Sequence, residues 1–182
     1  MRKVFVTELL TLDGVMEAPD QWSVQFRSDE AGQFKFDELL ASDALLLGRV
    51  TYEEFAAAWP TMEGTGEFGE RMNGLPKYVV STTLDEVSWN NSHLIKGNVA
   101  EEVAALKQQP GQDISIYGSA GLVRSLMQHG LIDEFRLMIF PIVVGKGKRL
   151  FPDGIDSAVL NLVDTKTFGS GVVVLTYEPA PA

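Results

Sequence analysis

The sequence predicts an α/β domain built on a mainly parallel central sheet, with helices on both faces and antiparallel strands at one edge. Two observations carry this. Up to about residue 130, short apolar runs alternate with segments of helical pattern, whereas the tail beyond Gly130 reads as strands alone. The 182 residues suffice for one buried core, and no linker or internal repeat divides them, so residues 1–182 are expected to form a single domain.

Residues 3–10 are rich in Val, Phe and Leu and read as the first strand. A polar loop with Gly14 and Pro19 follows, then a helix over 29–42 with Phe34 and Leu39 or Leu40 on its apolar side. Ala44 to Leu47 is a short, purely apolar run ending at Gly48, the pattern of a strand covered on both faces. The Ala- and Glu-rich stretch Val50–Trp59 predicts a helix that Pro60 stops. Residues 60–66 hold turn formers, and 67–73 predict a short helix before Gly74 and Pro76. Lys77–Ser81 and His93–Lys96 predict two further strands. Asn98 with Glu101 fits a capping box that opens a helix through about Gln108, broken by Pro110 and Gly111.

Asp113–Tyr117 reads as a strand and Ser119–His129 as a helix, with Leu122, Val123, Leu126 and Met127 inward and Gly130 at its end. Beyond it, Phe135, Leu137 and Ile139 alternate with Glu134, Arg136 and Met138 at strand period. Residues 158–167 and 172–178 are two more strands, joined as a hairpin by Gly169-Ser170-Gly171.

Composition narrows the partners. The formal net charge of -10 repels a nucleic-acid backbone, so no nucleic-acid partner is expected. The absence of cysteine excludes disulfides, thiolate nucleophiles and thiolate metal sites. His93 and His129 lack partners at ligand spacing, so no metal is expected. No apolar segment approaches the ~20 residues needed to span a bilayer. MRKVFVTELL lacks the long apolar stretch of a secretory signal, so the expected location is cytoplasmic and no membrane partner is expected.

In an open α/β sheet, ligands sit beyond the carboxyl ends of the parallel strands. Two such ends carry distinctive chemistry. Leu47-Gly48-Arg49-Val50-Thr51 runs from strand into helix at once, presenting free N–H groups and a partial positive charge that suit a phosphate. Arg49 adds a planar donor fork and Thr51 a hydroxyl. Tyr117-Gly118-Ser119-Ala120-Gly121 does the same through small residues, which let a backbone approach a pyrophosphate closely. Ser81-Thr82-Thr83, at the end of an intervening strand, offers hydroxyls to a further phosphate or a ribose.

Gly64-Thr65-Gly66-Glu67-Phe68-Gly69 spells the dinucleotide fingerprint but follows a helix and Pro60 rather than a strand, so it is read as a loop entering a short helix. Gly145-Lys146-Gly147-Lys148 lacks the spacing and hydroxyl of a P-loop and is read as a basic loop after a strand.

Taken together, the motifs resemble the dihydrofolate reductase-like superfamily. Gly48-Arg49-Val50-Thr51-Tyr52-Glu53 resembles a Gly-Arg-x-Thr-aromatic-Glu segment of dihydrofolate reductase. Tyr78-Val79-Val80-Ser81-Thr82 resembles its following strand, and Tyr117-Gly118-Ser119-Ala120 its glycine-pair turn, with Ser119 in place of the second glycine. Thr11-Leu12-Asp13-Gly14, and Gly130-Leu131-Ile132-Asp133-Glu134 followed by Pro141, Gly145, Gly147 and Phe151, resemble the riboflavin-biosynthesis reductase, or RibD C-terminal, domain. The resemblance implies a dihydrofolate reductase-like fold, NADPH as cofactor and a homodimer. It implies that Arg49 with Ser81 and Thr82 holds the 2′-phosphate, and that Gly118, Ser119, Ala120 and Gly121 meet the pyrophosphate beside Gly48, Val50 and Thr51.

One departure from dihydrofolate reductase is visible. Counting back from Gly48, the position of its pterin-binding carboxylate falls on Gly32, so folate is not the expected substrate. The leading expectation is NADPH-dependent reduction of a small heterocyclic or carbonyl-type acceptor. Its rivals are reduction of the ribosylaminopyrimidine phosphate of riboflavin biosynthesis, and a non-catalytic nucleotide-binding module. A proton donor is part of such chemistry. Asp13, at the end of the first strand, is the first candidate and Glu30 the second, while Trp22 is a candidate to cover the substrate.

Overall fold

The computed structural model describes residues 1–181. Its strands are β1 (Val4–Thr11), β2 (Ser42–Gly48), β3 (Lys77–Val80), β4 (Ser92–Ile95), β5 (Asp113–Tyr117), β6 (Glu134–Phe140), β7 (Leu160–Thr167) and β8 (Val173–Pro179). They form one eight-stranded sheet in the order β4-β3-β2-β5-β1-β6-β8-β7. Every pairing from β4 across to β6 is parallel, and β8 runs antiparallel to both β6 and β7.

The helices are α1 (Pro19–Trp22), α2 (Asp29–Leu40), α3 (Arg49–Ala58), α4 (Gly66–Gly74), α5 (Val99–Gln108) and α6 (Ala120–Gln128). They cover both faces, which explains why Ala44–Leu47 of β2 is apolar without interruption. Leu45 and Leu47 pack with Leu39 of α2, Tyr52 of α3 and Met72 of α4. Ala44 and Leu46 pack on the opposite side with Val103 of α5 and Val123 and Leu126 of α6. Each fully buried Leu contributes roughly 1.5–3 kcal/mol, so a polar residue on either side would be costly.

Two departures from the sequence expectation have simple causes. The stretch read as a polar loop contains α1 and a 3₁₀ turn, Val24–Phe26. Pro19 occupies the first helical turn, where its missing N–H costs nothing. Trp22 then packs edge-on against Phe140 with ring centroids 5.3 Å apart. The edge strand β7 reads as a strand but buries little, leaving Leu162 and Val163 exposed. Gly64–Gly69 is a turn running into α4, as its position after α3 requires.

Candidate functional site

The parallel strands bring the two strand-to-helix turns together. β2 and β5 are neighbours in the sheet, so the turns that follow them start side by side. The Gly48 N–H donates to Ser119 Oγ at 2.8 Å, and Ser119 Oγ lies 3.1 Å from Thr51 Oγ1. Gly118 has φ +62, and a Cβ there would run into Thr51 Oγ1. Ser119 also adopts the left-handed region, φ 65, which costs a non-glycine residue roughly 1–2 kcal/mol. Its two hydroxyl contacts, each worth about 1 kcal/mol, offset that cost. Neither α3 nor α6 has a side-chain cap, so the first-turn amides of Val50, Thr51, Ala120 and Gly121 have no capping side-chain acceptor.

The register also sets Gly48 opposite Val80, so Arg49 and Ser81 leave adjacent strands. Arg49 is 45% exposed and pairs with Glu53 one turn along, Nη1 to Oε2 at 2.8 Å. Ser81 Oγ accepts from the amides of Thr83 and Leu84, whereas Thr82 is exposed. Of the two hydroxyls, Thr82 is therefore the one left for an outside partner.

A cavity of about 290 Å³ runs from Val50, Thr51, Gly118 and Ser119 towards β1. Its inner wall holds Glu8, Lys35 and Tyr117 beside apolar Leu9, Met16 and Phe55. Glu8 is buried, and its Oε1 has no hydrogen-bond partner. Burial pushes its carboxyl up to about 8, with the Lys35 ammonium and the Gly118 amide opposing the rise. The Tyr117 hydroxyl is likewise buried without a partner. Burial and then the Glu38 carboxylate raise its phenol above the ordinary tyrosine range. Lys35 Nζ donates to Glu38 Oε2 at 2.7 Å and to Thr7 Oγ1, and lies 5.2 Å from the Tyr117 ring centroid.

The three acceptor-side candidates from the sequence lie elsewhere. The Asp13 carboxylate accepts from Thr11 Oγ1 at 2.6 Å and from the Gly145 and Val144 amides at 2.8 and 3.3 Å. The Thr11 hydroxyl, ahead of these amides, holds Asp13 down at about 2. A carboxyl that acidic carries no proton at neutral pH, and Asp13 is not in the cavity wall, so it ties the first-strand loop to the Gly145 loop instead of donating. Glu30, in the first turn of α2, accepts the Gly169 amide at 3.4 Å beside the β7–β8 hairpin and also lies off the cavity. Trp22 is buried under Phe140, and its Nε1 donates to the Glu17 carbonyl at 3.0 Å. It supports the cavity rim at Glu17 without reaching the cavity.

Sequence reading missed Glu8, Lys35 and Tyr117. Glu8 had a usable signal: an acid interrupting an apolar strand between Val6 and Leu10, which both join the core. Lys35 and Tyr117 had none, because a helix lysine and a strand tyrosine are ordinary. Lys148, in the loop read as basic, does reach the cavity rim, where its amide donates to Glu17 Oε2 at 3.4 Å. No cluster of metal-ligating side chains occurs among the described residues. No helix among them is long and apolar enough to cross a membrane.

The strand order, the single antiparallel strand near one edge and the paired glycine turns define a dihydrofolate reductase-like domain. The same fold occurs in a candidate riboflavin biosynthesis protein from Shewanella sp. PV-4, with TM-score 0.79 and 21% identity over 98% of this chain and 99% of that one. It also occurs in dihydrofolate reductase from Enterococcus faecalis, complexed with NADP(H) and RAB-propyl, with TM-score 0.65 and 16% identity over 98% and 97%. The uncharacterized protein YyaP of Bacillus subtilis strain 168 is 36% identical over 97% of this chain and 95% of its own length. The model of the RibD C-terminal domain matches residues 2–174. The chain belongs to the RibD C-terminal domain family, a reductase-like domain.

Proposed function

We propose that this protein is an NADPH-dependent oxidoreductase that reduces a small heterocyclic or carbonyl-type acceptor. The observation that carries the reading is the contact between two uncapped helix starts beside a cavity that runs on past Leu9, Met16 and Phe55 to the buried Glu8. The residues fit the cofactor: first-turn amides and a glycine with no room for a Cβ form a cradle for a pyrophosphate. NADPH, when bound, supplies a hydride to the acceptor.

The chain's own residues bind and orient. The amides of Val50, Thr51 and Ser119–Gly121 hold the pyrophosphate beside Gly48 and Gly118. Arg49 and Thr82, supported by Ser81, hold the 2′-phosphate. Arg49 gives up little by leaving Glu53, since an exposed pair is worth about 0.2–1 kcal/mol and a charge-assisted contact to phosphate about 1.5–3 kcal/mol. Leu9, Met16 and Phe55 exclude water from the acceptor end.

Two features favour this acceptor class over its rivals. Helix α2 contributes Lys35 to the cavity and no carboxylate, unlike a pterin site. The rim sets Glu17 and Glu54 against Lys148, which disfavours a phosphorylated pyrimidine such as the riboflavin-pathway substrate. A homodimer is part of the proposal, supported by the edge strand β7 and its exposed Leu162 and Val163. The proposed location is cytoplasmic.

The test is a fluorescence titration with NADPH and NADH, followed by NADPH oxidation across a panel of quinones, imines, enones and pteridines. Saturable binding that prefers NADPH, with turnover of at least one acceptor, is expected. No binding removes the proposal. Binding with no oxidation across the panel supports the non-catalytic module.

A further inference from the structure

Among the described residues, two buried side-chain polar atoms in the cavity wall have no hydrogen-bond partner: Glu8 Oε1 and the Tyr117 hydroxyl. Buried polar groups are nearly always satisfied, so an orphan in a cavity wall marks a place where a polar ligand belongs. Thr7 and Tyr117 are register partners and share one face of the sheet with Lys35, whereas Glu8, one residue on, shares the opposite face with Val6 and Leu10; the cavity reaches both faces at the end of β5. That point adjoins Gly118, the first residue of the proposed pyrophosphate turn. Lys35 is not an orphan; its ammonium is taken up by Glu38 and Thr7.

We propose that Glu8 is the proton donor of this site and that the acceptor is an uncharged carbonyl or imine compound. This deepens, and rests on, the reading of the cavity as an NADPH-dependent reductase site. At neutral pH the Glu8 carboxyl is a hydrogen donor, so it matches a carbonyl oxygen or an imine nitrogen. Anions are disfavoured by Glu17 and Glu54 at the rim, which Lys148 only partly balances. The groups acting on Glu8 are Lys35 from α2 and the Gly118 amide at the end of β5, with Tyr117 near by; Glu17, Glu54 and Lys148 line the same cavity. Glu38 and Arg136 act on Tyr117 from below.

The step balances. The carbon of the C=O or C=N bond gains the hydride of the reduced nicotinamide, and its π electrons move to oxygen or nitrogen. That atom takes the proton from the Glu8 O–H, and solvent later reprotonates the Glu8 carboxylate. A carboxyl that titrates near working pH is well matched to this task.

The test uses the intact protein saturated with NADP⁺, with cyclohex-2-enone as probe, labelled at its carbonyl carbon and followed by infrared difference spectroscopy. In the wild-type protein a second, lower-frequency carbonyl band of bound enone is expected, fading as pH rises through about 8. Glu8→Gln should abolish that pH dependence. With NADPH, Glu8→Gln should slow enone reduction roughly 10²–10⁴-fold while the NADPH dissociation constant stays unchanged. No shifted band at saturating enone, or a pH profile and rate unchanged in Glu8→Gln, overturns the proposal. Failure of the cofactor reading is distinct, because NADP⁺ would then not bind at all.

Discussion

Two pairs of helix starts in this molecule solve the same problem in opposite ways. α2 and α5 begin under side-chain caps: Ser28 Oγ accepts the Ala31 amide and Asn98 Oδ1 accepts the Glu101 amide. α3 and α6 begin without caps, yet they touch each other through Gly48, Thr51 and Ser119. A cap stabilises a helix by about 1 kcal/mol, so leaving two adjacent starts bare gives up stability unless another partner uses the amides. A missing cap does not by itself mark a site, since α1 and α4 also lack one; what sets α3 and α6 apart is that their starts adjoin each other beside one cavity.

The largest expected effect comes from closing the bare pair. Gly118→Ala places a Cβ into Thr51 Oγ1 at a left-handed backbone position, and should weaken NADPH binding by roughly 100-fold or more, read by fluorescence titration. Next, Arg49→Ala should weaken NADPH roughly tenfold to a hundredfold, and NADH far less. Equal losses for both would contradict the 2′-phosphate assignment. The capped pair should respond in the opposite sense: Asn98→Ala should cost about 1 kcal/mol in urea denaturation and leave cofactor affinity unchanged.

Two carboxylates extend the contrast to protonation. Asp13 is tied by donors and held acidic, so its contribution to stability is present above its unfolded value of 3.8 and is lost as pH falls through about 2. Glu8 behaves in reverse. Its folded value of about 8 exceeds the ordinary 4.5, so the folded state is disfavoured progressively as pH rises from 4.5 through 8. Glu8→Gln should therefore leave urea stability nearly unchanged near pH 4.5 and raise it by a few kcal/mol, on the order of the shift itself, above pH 8. A pH-independent difference between the two proteins would contradict the buried, protonated carboxyl.

Much of this architecture is legible in the sequence because its determinants are local. Alternating apolar runs fix β2 and β5, Gly130 ends α6, and Gly169–Gly171 turns the final hairpin. The juxtaposition of Arg49, Thr51 and Ser119 follows from parallel strands whose ends share one rim. The acceptor end is less legible because it depends on which side chains meet across β1, β5 and α2. Asp13 looks like a donor at a strand end, but the Gly145 loop, more than a hundred residues later, folds back and claims its oxygens. Trp22 looks like a lid, but Phe140 of β6 takes its face. Lys35 reaches Thr7 only because α2 lies over β1, which no spacing in the chain announces.

The most direct measurement is an amide NMR titration of the assigned protein with NADP⁺. The account predicts shifts concentrated at Arg49–Thr51 and Gly118–Gly121, with the capped starts at Asp29–Ala31 and Val99–Glu101 unmoved. Shifts at the capped starts with none at the bare ones, or no saturable shift anywhere, would contradict it.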